Sequence, residues 1–455
     1  MSAPTEQQSL KGGGKLGGFD EEFSRFVKTL NGEAKSAFHL RRQGAIEAFS
    51  RLGFPTTHDE EWKFTNLLPL AQSKFSVARR QASHGLKRAD VEPLFSTPDS
   101  IQVVFLNGFW AVDLSNMGAL PAGVSVANLG ERLLAGDPVV SRMLGGLVDV
   151  QADSLVALNT AFLREGIYLS VGDGVEVKNP IEFLFLNTPA QTPTASHPRL
   201  LVSVGRGAKV QIVELHVGSP SGVSFTNMVS ELHIGQDAVV EHDKLQVDSP
   251  ESFHISTTRA VIQQSATVVS NAVALGGKIV RNTISAKLEG EHAECTLNGL
   301  SVASGSEHID NHTVIDHAAA NCASHELYKA ILDGNSRGVF NGKIFVREGA
   351  QKTDAKQTNR TLLLSDNATI NTKPQLEIFA DDVKCTHGAT VGQLDEEQVF
   401  YLRARGIGLD EARDILTFAF ASDVAGRIHA EGLASKIEGL LRERLSIGRT
   451  GNRHD

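Results

Sequence analysis

Cysteine is scarce in this chain of 455 residues: Cys295, Cys322 and Cys385 are the only three. They are too few and too scattered for a disulfide framework, and no two stand as C-x-x-C. That excludes a zinc ribbon or a four-cysteine cluster closed by one chain, and it points to a reducing compartment. Basic charge is also in deficit. A net charge of −9 argues against a general nucleic-acid binder, which needs a basic surface to displace counterions. No apolar run approaches the roughly 20 residues that span a bilayer. The opening MSAPTEQQSLKGGGKLGG has no apolar core and is not arginine-rich, so no secretory or organelle signal is read there. These absences together predict a cytoplasmic protein without membrane or nucleic-acid partners. No complete GxxxxGK[ST] occurs. The nearest stretch, RGVFNGKI, lacks the first glycine at the required offset and the hydroxyl after Lys343, so no ATP is expected on this chain. G-x-S-x-G and H-E-x-x-H are missing too.

Aromatic residues are only 6% of the chain, whereas glycine numbers 42. Glycine with abundant Val, Ile and Thr favours strands and tight turns over helical bundles. Residues 1–18 are polar and glycine-rich, a composition of disorder. Residues 19–99 read as an N-terminal helical domain, with Phe19, Phe23, Phe26, Val27 and Leu30 at three- and four-residue steps. In its tail, DEEWKFTN places Trp62 and Phe64 as anchors onto the next domain. From about residue 100 to 394 the pattern becomes short apolar or alternating runs separated by Gly, Asn, Asp and Pro. Between Leu133 and Leu163 it loosens enough for a helix or two. A faint period of roughly 26 to 30 residues runs through this region. Ala208, Ala238, Ala266 and Ala293 occupy equivalent places, each after a turn and before a strand. Small inward residues at that spacing suit the stacked coils, each of several short strands, of a parallel β-helix. A sandwich would instead place turns every 8 to 12 residues or so. Residues 395–455 return to helix. Asp395 with Gln398 forms a capping box, and Gly406 is a stop. The following helix carries Ile415, Leu416, Phe418, Ala419 and Phe420. That is more apolar surface than one short helix covers. It serves either internal packing or the docking of another protein. The fold class is mainly β, a parallel β-helix flanked by helical domains.

Two stretches carry metal-binding side chains. In DDVKCTHG, read as a strand, Cys385 and His387 share one face because side chains alternate. A thiolate and an imidazole side by side can both bind iron or zinc. Two ligands do not close a site, so either a partner supplies the rest or the pair is structural. In EHIDNHTVIDHAAANCASH, His308, Asp310 and His312 have equal parity. That makes a metal face or the polar outward face of a rung. Cys295 and Cys322 read as buried small residues. Asp381 and Asp382 are adjacent, so on a strand they point oppositely and make a poor acid–base pair. A β-helical enzyme acting on carbohydrate or an acyl donor remains the alternative, and it would need such a cluster.

KPQLEIFADDVKCTHGATVGQLDEEQVFYLRARGI, SHELYKAILDGNSRGVFNGKIFVREGAQKTDAKQTNRTLLLSD and DEEWKFTNL resemble the SufD family, scaffold subunits of the Suf iron–sulfur cluster assembly machinery. The likeness covers most of the chain after about residue 55. It implies a right-handed β-helix and a non-catalytic role. It further implies a heterodimer with a SufB-like paralogue, formed through the β-helix, and a SufC-like ATPase docked on the C-terminal helices near Leu409 to Ile428, on the surface of Ile415, Leu416, Phe418, Ala419 and Phe420. Carried over, His387 faces the SufB-like subunit and helps hold a transient iron–sulfur cluster shared with it. Cys385 is the neighbouring cysteine, of less defined role. A flavin on the assembled complex is left open.

Overall fold

The computed structural model describes residues 17–450 apart from 81–84, 189, 191 and 219–220, with no side-chain description at 31 or 446–450. The glycine-rich start, read above as disordered, lies almost wholly outside the described residues. The centre is a two-sheet β-solenoid. The chain alternates strand by strand between the sheets, so each turn contributes one strand to each. Eight turns run from the pair Ile167–Val171 and Ile181–Leu186 to the pair Thr369–Ile378 and Lys384–Gly392. Every pairing between consecutive turns is parallel and in register, as Phe225 opposite Phe253 and Val239 opposite Thr267 show. The sequence pattern suggested several short strands per coil. Instead, after short strands in the first turns such as Ile167–Val171 and Ile181–Leu186, each turn has two long ones, such as Glu294–Ala303 and His308–His317. The period is as expected through the middle of the solenoid and longer toward its ends, where Ile167 meets Leu200, Ile181 meets Ile212, Ala323 meets Asp354 and Arg337 meets Thr369, the last step lengthened by the loop at 364–368.

The periodic alanines explain how the turns close. Ala208, Ala238, Ala266 and Ala293 are all fully buried. Each follows a residue in the left-handed region: Gly207 (φ 64°), Asp237 (58°), Ser265 (55°) and His292 (61°). The column continues with Asn321 (59°) before Cys322 and Lys352 (63°) before Thr353. A left-handed residue reverses the chain tightly, which costs non-glycine residues about 1 kcal/mol or more each. The small residue that follows then fits beneath the previous rung. Packing of the stacked interior offsets that strain. Val103, Val202, Ile212, Val240 and Phe183 are all among its buried members.

The N-terminal helices Phe19–Lys28 and Ala37–Leu52 pack with Ser154–Phe162 against the first turns. Ser36 caps the second of them by accepting from the His39 backbone N–H. Phe19 sits among Phe49, Phe54, Phe75, Phe162 and Phe225, so the aromatic periodicity is a core face. Ser154–Phe162 falls within the stretch where the strand pattern loosened, alongside Leu129–Leu134 and Pro138–Met143. At the other end, helices Leu409–Ala425 and Glu431–Thr450 cover the outer face of the second sheet, and Glu396–Arg403 packs against the first of them. Val424, Ile428, Leu433, Ile437 and Leu441 meet Leu245, Val273, Leu300 and Ile331 there. Burial of each such side chain stabilises the contact by about 1.5–3 kcal/mol. Among the described residues no helix is long and apolar enough to cross a membrane.

Candidate functional site

Lys384–Gly392 is the last strand of its sheet and has one neighbour, Asp354–Leu363. Its other edge is unpaired among the described residues. Nearly all its residues are exposed, unlike the earlier strands. Cys385 stands over Ala355 and His387 over Gln357. The equal parity read from the sequence therefore holds, and both belong to the rows that face the solenoid interior in the turns below. The Cys385 row continues through Ala355, Ser324 and Cys295. The His387 row continues through Gln357, Glu326 and Leu297.

The two side chains differ in surroundings. Cys385 is half-buried against Ile344, Val346, Ala355 and Ala380. Burial first, then the Asp354 charge, pushes its thiol up, partly offset by a backbone hydrogen bond at Ala355. A thiolate there needs a cation, such as a metal, to form at neutral pH. His387 is exposed at the open end. Among the described residues no group of three or more His, Cys, Asp or Glu side chains is placed to hold a metal ion.

Below His387 the interior holds two residues the sequence reading did not single out. Glu326 and Gln357 are buried, and the Gln357 amide Nε2 donates to Glu326 Oε2 at 2.7 Å. Desolvation raises the Glu326 carboxyl to about 7. The signal was in the sequence: both occupy the place of His387 one and two periods earlier.

The second polar stretch resolves differently. His308, Asp310 and His312 do share a face, and it is the outward one. The segment around Glu60–Trp62 covers it. Thr65 Oγ1 bonds His308 Nε2 (2.8 Å) and donates to Asp310. Arg281 pairs with Asp310 (2.9 Å), donates to the Glu61 carbonyl (2.6 Å) and lies 3.9 Å over the Trp62 ring. Trp62 is thus an anchor, whereas Phe64 is partly exposed with Lys63 near its ring. His317 faces inward to Ser324, His325 is exposed, and Cys322 is buried at a turn. Cys295 is buried with its thiol pushed up to about 12. Lys343, the lysine of the incomplete phosphate-loop pattern, sits mid-strand and pairs with Glu377 at 2.9 Å. Asp382 pairs with Lys352, and Asp381 is exposed beside it.

The predicted docking residues divide by the helix face they occupy. On Leu409–Ala425, Ile415 and Ala419 are exposed, while Leu416, Phe418 and Phe420 are half-buried. Phe418 and Phe420 pack onto the core beneath. Arg442 lies over the Phe418 ring and Lys329 over that of Phe420. Leu416, Ala419 and Phe420 line a cleft of about 340 Å³ with Leu362, Thr390, Leu394 and Gln398. Phe400 (73% exposed) and Tyr401 (56%) stand on the preceding helix. The sequence reading had not picked out that pair. The cleft thus abuts the strand that carries Cys385 and His387.

A family profile described as "SUF system FeS cluster assembly, SufBD core domain" matches residues 185–420. A second, "SufBD protein N-terminal region", matches residues 18–183. The chain is 35% identical over 427 residues to an iron–sulfur cluster assembly SufBD family protein of Synechocystis, covering 92% of each. It is 31% identical over 409 residues to iron–sulfur cluster assembly protein SufD of Escherichia coli, covering 89% of this chain and 93% of that one. A chloroplastic protein of Arabidopsis thaliana, ABCI7, is 29% identical over 408 residues, 87% and 84% of the two chains. The profiles cover the helical start, the solenoid and the helix next to its open end, and the chain belongs to the SufBD family of iron–sulfur cluster assembly proteins.

Proposed function

We propose that this chain is a non-catalytic, SufD-type scaffold subunit acting in the cytoplasm. It pairs with a SufB-like subunit through the open end of the solenoid. It also docks a SufC-like ATPase on the C-terminal helices. The observation that carries this reading is the uncovered last rung. A strand edge is an aggregation hazard that proteins ordinarily cover or blunt. Here the edge is left bare beside a half-buried cysteine and an exposed histidine that share a strand face. A partner strand added along it would complete the sheet and bring its own ligands to His387 and Cys385. The nascent cluster is cargo, held by donors from two chains, and moving the chains apart would release it. Iron would take a ring nitrogen of neutral His387. The cleft at Leu416, Ala419 and Phe420, with Ile415, Phe400 and Tyr401 beside it, gives the ATPase an apolar seat next to that junction. Phe418 backs this seat from below.

The test is an edge-blocking variant. Lys384 N–H bonds inward to the Thr353 carbonyl. Alternation along the parallel ladder then turns the N–H of Ala389 outward, to the free edge. Ala389→Pro removes that donor without removing a bond inside the chain. In co-expression with SufB- and SufC-like partners, the variant is expected to stay soluble, keep its unfolding midpoint and lose the SufB-like subunit. Undiminished pairing would contradict assembly along this edge.

A further inference from the structure

We propose that Gln357, tied down by Glu326, orients the imidazole of His387 and fixes which ring nitrogen is left free to bind iron. This rests on the reading of His387 as a cluster ligand. The three residues are stacked in one interior row of consecutive rungs, Glu326 opposite Gln357 and Gln357 opposite His387. Neighbouring strands lie about 4.8 Å apart, so side chains paired this way are within reach of one another.

Gln357 is 1% exposed and Glu326 3%. The amide nitrogen of Gln357 is committed to Glu326 at 2.7 Å. Its amide oxygen is buried and has no hydrogen-bond partner among the described residues. An acceptor left in that state costs about 1–3 kcal/mol. The register partner of Gln357 in the row above is His387, whose imidazole, turned inward, would satisfy it. While Glu326 is ionised, the amide cannot turn over to present nitrogen instead without breaking the bond to Glu326. Its position is also shaped from the side. A Cβ on Gly342 would collide with the Gln357 amide nitrogen, so glycine leaves the room that the amide occupies. An oxygen can only accept, so it selects the imidazole nitrogen that carries hydrogen. The other nitrogen then keeps its lone pair for the metal. Ligating histidines are commonly held in this way by an oxygen acceptor behind the ring, and losing it lowers metal affinity roughly 10- to 100-fold. Gln357 is therefore a positioning residue, acting through His387.

The experiment has two readouts. First, the full chain labelled with ¹⁵N-histidine is examined without partners at pH 8 by long-range ¹H–¹⁵N spectroscopy. The His387 signal is assigned by its loss in His387→Ala. Wild type is expected to show one dominant neutral tautomer, and Gln357→Met a mixture of two. Second, iron is measured in the anaerobically co-expressed complex. Gln357→Met is expected to lower bound iron at least three-fold at unchanged complex yield. Gln357→Glu, which keeps an oxygen in place, is expected to recover at least half. Should Gln357→Met disturb folding, Glu326→Gln carries the same test, because it frees the amide to turn over and should also mix the tautomers. If His387→Ala loses iron while Gln357→Met and Glu326→Gln leave the tautomer unchanged, the positioning role falls and the ligand reading stands. If His387→Ala keeps full iron, the ligand reading falls and takes this proposal with it.

Discussion

Replacing Asp310 by Asn should release the N-terminal segment from the solenoid. Asp310 and Arg281 are both almost fully buried, with side chains 1% and 3% exposed. The carboxylate takes Arg281 at 2.9 Å and His312 at 3.0 Å, and it also accepts from Thr65. Arg281 in turn holds the Glu61 carbonyl and the Trp62 face. Asn keeps the shape and removes the charge, leaving a buried guanidinium without its counterion. Breaking a buried pair from one side costs about 3–5 kcal/mol. At about 1.4 kcal/mol per decade, local opening becomes ~10²- to 10³-fold more frequent or greater. Amide hydrogen exchange over residues 59–65 reads this directly, and protection there should fall by that factor. The pH dependence has a definite sign. Arg281 and His312 hold the Asp310 carboxyl below its usual range despite burial, so its contribution is present above about pH 4 and is lost as pH falls through the lowered value. The imidazole of His312 is raised despite burial, by Asp310 and then by Glu61. Its contribution is complete below about pH 6.5 and is lost as pH rises through the raised value. The clamp is therefore strongest between those limits, and Asp310→Asn should abolish the acid slope and shrink the alkaline one, which Glu61 still supports. Arg281→Met combined with Asp310→Leu removes both charges and should regain much of the protection. Equal protection in wild type and Asp310→Asn, or no recovery in the double variant, would refute the argument from buried charge.

Other outcomes follow from the same structure. Lys329→Met removes a buried ammonium that bonds Asp423 (2.7 Å) and the Phe420 carbonyl (3.1 Å). It should loosen Leu409–Ala425 by about 1–3 kcal/mol, read as faster exchange there and weaker capture of the ATPase partner. Leu441→Ala empties a fully buried position under the last helix and should cost about 2–5 kcal/mol in denaturant unfolding. With iodoacetamide at pH 8, mass spectrometry should find Cys385 alkylated first and Cys295 last, since only Cys385 is not fully buried and the Cys295 thiol stands near 12. Burial lowers the His197 imidazole to about 3. The unfolded chain therefore binds a proton the folded one refuses, and stability falls as pH drops from about 6.5 toward that value. His197→Phe should flatten this acid limb by about 1.4 kcal/mol per pH unit.

The solenoid was legible in the sequence because its closure repeats. A left-handed residue and then a small buried one recur along one column of turns, alanine at 208, 238, 266 and 293 and then Cys322 and Thr353, and composition marks that place. Strand length was not legible, since burial on both faces erases the alternation that would show where one strand ends, as in Ser224–Ile234. That Cys385 and His387 share a face was legible because parity along one strand is local information. Glu326 and Gln357 were missed because their relation to His387 is set by register across rungs. Reading it requires counting whole periods through turns of unequal length. The His308 to His312 face looked the same as a metal site until the segment that covers it, some 240 residues earlier in the chain, was in place. Phe400 and Tyr401 were passed over because a short helix with two aromatics reads as core, whereas here the solenoid ends before it can cover them.

The central claim is that His387 holds nascent cluster at a junction with a second subunit. The most direct measurement is the iron, sulfide and visible absorbance of the complex co-expressed anaerobically with SufB- and SufC-like partners, for wild type and His387→Ala side by side. The account predicts an intact complex with its cluster lost in the variant. An intact complex with full cluster content would contradict it.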